Sequence, residues 1–221
     1  MTGFTWSWPH VWDLIPSLLD GLKITLIATF SGTAMALLLG LVLILIRLAE
    51  IPVVSFVVTW TSYVIRGIPL LIILYFLFFV LPGYGLTMSP LTTGIVALGV
   101  YYGVLASEIY RAGIESIPKG QWEAALSLNV PLHWMWRRII LPPAIRLVTP
   151  MLGNLLVVMF KDSALLSAIA VTEVLSAGRQ VAQDTYRFIE PYTVVGLIFF
   201  IVSYSSVLMI RRLERWSTKR V

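Results

Sequence analysis

Cysteine is absent from the 221 residues, and charge is scarce. Without thiols there is no disulfide scaffold, no thiolate metal site and no cysteine nucleophile. Only 12% of residues are Asp, Glu, Lys or Arg, about half the share of an ordinary globular domain. So few polar groups could not cover a water-soluble particle of this size, which excludes a soluble enzyme. Disorder is excluded by the same numbers. Histidine is limited to His10 and His133, too few and too far apart for a metal site. No Gly-x-x-x-x-Gly-Lys-Ser/Thr loop is present to hold ATP, and neither His-Glu-x-x-His nor Gly-x-Ser-x-Gly occurs. The start lacks a basic region before Lys23, so it does not read as a cleaved signal peptide.

What is present is long apolar sequence. Hydrophobic residues make up 58% of the chain. The run 24–46 is free of charged residues and exceeds the roughly 20 residues a spanning helix needs. The charge-free stretch 67–107 is too long for one span and is interrupted by Leu81-Pro82-Gly83-Tyr84-Gly85, a cluster of turn residues. It predicts two helices, over about 62–80 and 91–110. A fourth span is expected over 147–160, extended inward by 144–146, and a fifth over 191–210. The apolar piece 163–172 is too short to cross and reads as a re-entrant or half helix, with the Ser163 hydroxyl as its cap. The expectation is an all-α polytopic membrane protein with five spans and a single transmembrane domain over 1–221.

The cations set an orientation. With the N-terminus outside, the inner side receives 12 of the 16 Lys and Arg, among them Arg47, Arg66, Arg111, Arg137, Arg138 and Arg146. Lys23, Lys161, Arg179 and Arg187 are the other four, outside or within the membrane. Basic residues favour the cytoplasmic side, so the chain is expected N-out and C-in, ending in a basic tail over 211–221. The net charge of +5 suits an anionic inner membrane surface rather than nucleic acid. Residues 1–20 form a lead-in. Trp8, Val11, Trp12, Ile15, Leu18 and Leu19 recur at helical spacing there. Both a short interfacial helix and a plain extension of the first span fit that pattern.

The inner segment 111–141 cannot bury a core of its own, yet it is not loop-like. Pro118-Lys119-Gly120 reads as a helix start, 121–128 contains good helix formers, and Pro131 ends the segment. A short cytoplasmic helix with small Ala124 and Ala125 beside Glu123 would let another protein approach its backbone closely. A plain interfacial connector, with Glu123 paired to Lys119, fits the same residues.

Glu123-Ala124-Ala125, then Leu128-Asn129, then Ile139-Ile140-Leu141-Pro142 resembles the EAA loop of ATP-binding-cassette importer permeases. Tyr110-Arg111-Ala112-Gly113-Ile114, Ile65-Arg66-Gly67-Ile68-Pro69, Leu152-Gly153-Asn154 and Phe160-Lys161-Asp162-Ser163 are similar to the polar amino-acid uptake permeases. The likeness extends from Leu19 to Arg215. Leu128-Asn129-Val130-Pro131, 186–191 and 211–215 resemble the ectoine/hydroxyectoine branch. The family has Gly where Asn129 stands. Asn is the next best residue for a left-handed helix end, so the turn is expected to survive.

The resemblance implies a type I importer permease in a bacterial inner membrane that is not itself an enzyme. It implies a partner ATPase dimer, which would hold the ATP and Mg, docked on Gly120, Glu123, Ala124, Ala125 and Asn129. It also implies a second permease subunit and an extracytoplasmic solute-binding protein. No cofactor is expected in this chain. The solute class is a small zwitterionic or polar amino-acid-like compound, ectoine or hydroxyectoine first, glutamate/aspartate or glutamine second. An ion-gradient-driven transporter would need paired broken-helix repeats, which the sequence lacks. A non-transporting scaffold that recruits a partner would leave that partner's ATPase indifferent to solute.

Candidate residues for the solute path are the ionisable groups at membrane depth. Lys161 lies fifteen residues beyond Arg146, roughly 22 Å of helix. A lone charge at that depth costs about 3 kcal/mol, so pairing or a wet cavity is expected. Lys161-Asp162 could meet both ends of a zwitterion or form a structural pair. Asn154, seven residues earlier, falls on nearly the same helical face as Lys161. Arg66 reads as a snorkelling interface arginine, and Glu108 as the partner of Arg111 three residues on. Either could also touch solute. Tyr101 and Tyr102 face different sides of the third span.

Overall fold

The computed structural model describes residues 5–218, all helix and connection with no strand among them. Eight helical elements follow in order. They are α1 Trp8–Leu48, α2 Pro52–Gly67, α3 Leu70–Tyr84, α4 Pro90–Glu115, α5 Lys119–Ser127, α6 Leu132–Ile169, α7 Val174–Thr185 and α8 Ile189–Thr218. Four of them, α1, α4, α6 and α8, are each long and apolar enough to cross a membrane. The bent pair α2 and α3 makes the fifth.

The lead-in and the first span are one helix. Its 41 residues rise roughly 61 Å, well beyond the ~30 Å hydrocarbon core. The Ser7 side chain accepts a bond from the His10 amide at its start. Leu14 and Leu18 are buried against Val174, Ala177 and Val195, while Trp8 and Trp12 remain exposed. The lead-in is therefore packed on α7 and α8 rather than free at the interface. It is also tied down by polar contacts. The Ser7 amide donates to Glu190 Oε1 at 3.3 Å, and Arg187, paired with Glu190, donates to the Thr5 carbonyl at 2.7 Å.

Further along, α1 turns a small-residue face inward, with Gly21, Thr25, Ala28, Gly32, Ala36 and Gly40 buried. The facing side of α4 is equally small, with Gly94, Ala97, Gly103 and Ala106 buried. Small residues let two helices in lipid approach closely, where dispersion replaces the hydrophobic drive. At Gly40 an added Cβ would stand 2.8 Å from both the Ala106 Cβ and the Gly103 carbonyl oxygen.

The second span departs from expectation. A single helix over 62–80 was predicted; instead α2 ends at Gly67, Ile68 is extended, and α3 leaves at 103° to α2. Pro69 supplies the reason. It has no amide hydrogen and its ring forces the residue before it out of the helical region. α3 continues through a π-turn over Phe76–Val80 and a 3-10 turn over Leu81–Tyr84, and stops at Gly85 with φ of 83°.

The fourth span is also longer than expected. α6 starts at Leu132 and passes through a π-turn over Met135–Ile140. Pro142 and Pro143 follow directly and cannot donate to the carbonyls one turn back, so the wider register absorbs two missing bonds. The piece 163–169 is not a separate re-entrant helix. It continues α6 as a tightened 3-10 turn ended by Ala170 at φ of 61°. Ser163 does not cap it; its hydroxyl donates to the Phe160 carbonyl at 2.6 Å.

α7 is an element the sequence patterning does not announce. Its cap is Glu173, fully buried, whose carboxylate accepts from the Leu175 and Ser176 amides at 2.8 and 2.7 Å. Burial pushes the Glu173 carboxyl up to about 7, and those two amides pull the other way. Of the basic tail, Arg211 to Arg215 continue α8; Lys219 and Arg220 lie outside the described residues.

Candidate functional site

Two regions gather the residues singled out from the sequence: the short helix α5, and the polar groups on α1, α2, α4 and α6.

α5 is nine residues long and begins directly after Pro118. Its inner side is anchored. Ala125 is buried with Ile117, Met135, Ile140 and Ala144, and Trp122 meets Trp136 edge to face at 5.4 Å. Its outer side is open, with Gly120, Glu123 and Ala124 exposed. Around them stand the exposed apolar residues Leu126, Leu128 and Leu132. A Cβ on Gly120 would meet nothing within 4 Å, so that backbone is bare towards solvent. No Lys119–Glu123 ion pair forms among the described residues, which leaves the Glu123 carboxylate free to receive a partner. The two alanines were expected to share the outer surface. They divide instead: Ala124 faces out and Ala125 forms the floor.

The end of α5 follows the expected turn. Asn129 is left-handed at φ of 52°, its amide donates to the Leu126 carbonyl, and the Val130 amide donates to Ala125, both at 3.0 Å. This pair of bonds is the Schellman closure, which satisfies carbonyls the helix would otherwise leave orphaned.

The groups at depth are arranged differently from the sequence reading. Asp162 does not pair with Lys161. It accepts a 2.6 Å hydrogen bond from the Tyr102 hydroxyl, and Tyr102 is buried on α4. Lys161 and Asn154 are both exposed on α6, and Lys161 has no ion-pair partner among the described residues. A cation on a spanning helix with no countercharge is a group that awaits either an anionic ligand or a wet cavity.

Glu108 is the centre of a cluster. Arg47 Nη1 reaches its Oε1 at 2.7 Å, Arg111 Nη2 its Oε2 at 2.8 Å, and Arg66 Nη1 lies 3.9 Å from Oε1. Arg111 also grips Glu115 at 2.9 Å. The expected Glu108–Arg111 pair is present, and Arg66 turns toward Glu108 while its guanidinium lies over the Tyr63 ring at 5.2 Å. The sequence reading missed Arg47 as a partner. Its only signal was position, since it ends one charge-free span as Glu108 nears the end of another.

No group of three or more His, Cys, Asp or Glu gathers as a metal would require among the described residues. The chain belongs to the family described as binding-protein-dependent transport system inner membrane component, whose profile matches residues 46–219. It is 36% identical over 214 residues to the probable amino-acid ABC transporter permease protein y4tG of Sinorhizobium fredii, covering 95% of this chain and 93% of that one. It is 32% identical over 211 residues to the glutamine transport system permease protein GlnP of Escherichia coli, covering 95% and 96%. Among solved structures, a chain of an amino acid ABC transporter crystallised with histidines matches with a TM-score of 0.92 and 32% identity, covering 96% of this chain and 99% of that one. The chain is thus a multi-pass inner-membrane permease of the type used by amino-acid ABC importers.

Proposed function

We propose that this chain lines the translocation path for a small zwitterionic, amino-acid-like solute, with ectoine or hydroxyectoine as the favoured cargo, and couples that path to a separate ATPase through α5. The observation that carries the coupling is the exposed face of α5. Glu123, Ala124 and Gly120 stand open within an apolar rim, while Ala125 and Trp122 fix the helix to α6. A push on that face passes to α6 as a packed body rather than dissipating in a loop. ATP and Mg belong to the ATPase dimer. A second permease subunit, identical or homologous, completes the path, and an extracytoplasmic binding protein delivers the solute.

For the solute, Lys161 and Asn154 offer a cation and an amide on the exposed side of α6, and Asp162 a carboxylate held by Tyr102. A zwitterion meets both signs there. A second reading, glutamine or glutamate/aspartate as the cargo, is favoured by the relatives, whose names include cystine, arginine, glutamine and glutamate/aspartate.

The test is ATP hydrolysis by the reconstituted complex with ectoine, hydroxyectoine, glutamate, glutamine and arginine in turn. Stimulation by the ectoines alone supports the favoured cargo. Stimulation by an amino acid alone replaces it with the second reading. Silence with every solute, in an assembled complex with basal hydrolysis, overturns both cargo readings.

A further inference from the structure

Arg47 presents an unfinished electrostatic arrangement. Its side chain is 11% exposed, and only Nη1 has a partner, Glu108. Nε and Nη2 are buried without any hydrogen-bond acceptor. Buried arginine donors left unsatisfied are costly, since each forfeits its hydration and gains nothing in return. The same guanidinium lines a cavity of about 280 Å³ between α1, α2 and α4, together with Ser55, Thr59, Tyr63, Glu108 and Arg111.

The charges around that cavity do not cancel. Arg47, Arg66 and Arg111 supply three positive charges against Glu108 and Glu115, a balance of +1. Glu108 is shared by all three arginines, and Arg111 spends its other donor on Glu115. One further monoanion would neutralise the group. The hydroxyls of Thr59 and Tyr63 make no hydrogen bond among the described residues and are available as donors. Hydroxyls beside an arginine fork are a donor set that fits a tetrahedral oxyanion.

The surroundings favour a lipid as the source of that anion. The outward face of α2 is apolar and aromatic, with Phe56, Trp60 and Val64 exposed next to the cavity. Trp60 packs edge-on against Tyr63, whose ring lies under Arg66. Aromatic rings flanking arginines are the pattern of a membrane–water boundary, where acyl chains lie against the rings and the headgroup meets the cations.

We infer that the cavity between α1, α2 and α4 is a binding site for a monoanionic phosphodiester, the headgroup of an anionic phospholipid of the inner leaflet. A turn of the Arg47 guanidinium brings its orphaned donors onto the phosphate oxygens, and the acyl chains run along the exposed face of α2. The site does not depend on which solute is carried. Its consequence is structural: α2 is held against α1 and α4 just before the break at Gly67–Pro69, so the lipid would set the position of the bent span.

The test uses the intact complex in detergent, with phosphatidylglycerol or phosphatidylcholine offered at equal concentration and bound lipid counted by native mass spectrometry. Selective retention of phosphatidylglycerol is expected. Thr59→Leu, which fills the cavity without touching a charge, and Arg47→Gln should each lower that retention about tenfold, the value of one charge-assisted hydrogen bond. Arg212→Gln, on α8, should leave it unchanged. If Arg47→Gln fails to assemble, Thr59→Leu decides alone. A free anion is the other source of the same chemistry. Millimolar inorganic phosphate that raises the melting temperature of the delipidated wild type, but not of Thr59→Leu, would keep the anion site and assign it to a soluble ligand. Equal retention of both lipids together with no phosphate effect, or selective retention undiminished in Thr59→Leu, would overturn the proposal.

Discussion

Glu123 is exposed two residues before the buried Ala125, and it forms no ion pair among the described residues. Its role is therefore separable from folding. Glu123→Lys reverses the charge on the exposed face of α5 and leaves Ala125 and Trp122 in place. Membrane insertion and protein level should match the wild type, while ATP-driven uptake falls at least about tenfold, the cost of replacing a charge-assisted contact by repulsion. Ala125→Asp should differ in kind. It drives a carboxylate into the apolar floor shared with Met135 and Ile140, so protein level should fall as well. Equal protein levels in the two variants would contradict the division of the alanines into an outward and an inward member. Tyr102 and Asp162 are separable from coupling in the same way. Tyr102→Phe removes the hydrogen bond from Tyr102 to the Asp162 carboxylate and should lower stability by about 1–3 kcal/mol, read as a lower melting temperature of the complex.

Among the elements, α1 and α4 depend on the close approach that their small residues allow. Gly40→Val places a Cβ within 2.8 Å of Ala106 and of the Gly103 carbonyl, neither of which can swing away. A loss of about 1–3 kcal/mol, or failure to accumulate in the membrane, is expected. Gly120→Ala meets nothing within 4 Å and should be silent in stability, so any uptake defect it causes belongs to the docked partner. At the end of α5, Asn129→Gly keeps the left-handed turn, whereas Asn129→Val puts a branched side chain at φ of 52° and should loosen the helix end. Limited proteolysis near Val130 would report it.

The elements also show which features patterning carries. Charge-free runs marked α1, α4 and α8 because lipid tolerates few charges, and this constraint is local in sequence. The bend at Gly67–Pro69 was not foreseen in the helix expected over 62–80, since a proline's missing bond does not say how far the chain will turn. The pairing of Tyr102 with Asp162 spans sixty residues and leaves no periodic trace. In α5, nine residues are too few for a periodicity that separates Ala124 from Ala125. The left-handed turn at Asn129 was legible because it is a property of one residue type at a helix end. Arg47 escaped notice because its partner is chosen by the packing of α1 on α4.

At the scale of the whole molecule, the distribution of Lys and Arg predicts an N-terminus outside and α5 inside. The absence of cysteine makes this easy to test. Leu86→Cys, in the exposed connection between α3 and α4, should be labelled in intact cells by a membrane-impermeant maleimide. Leu128→Cys, exposed beside α5, should react only after the membrane is opened. The reverse pattern would invert the topology and remove α5 from the reach of a cytoplasmic ATPase.

The contact between α5 and the ATPase can be measured directly with single cysteines at Glu123 and at Trp8. A thiol-to-amine cross-linker of short span is applied to membranes that contain the assembled complex. Glu123→Cys should give one cross-linked band of permease plus ATPase, and its yield should change when ATP is added. Trp8→Cys, exposed at the far end of α1, should give none. No ATPase adduct at Glu123, in a complex shown to be assembled, would contradict coupling through α5.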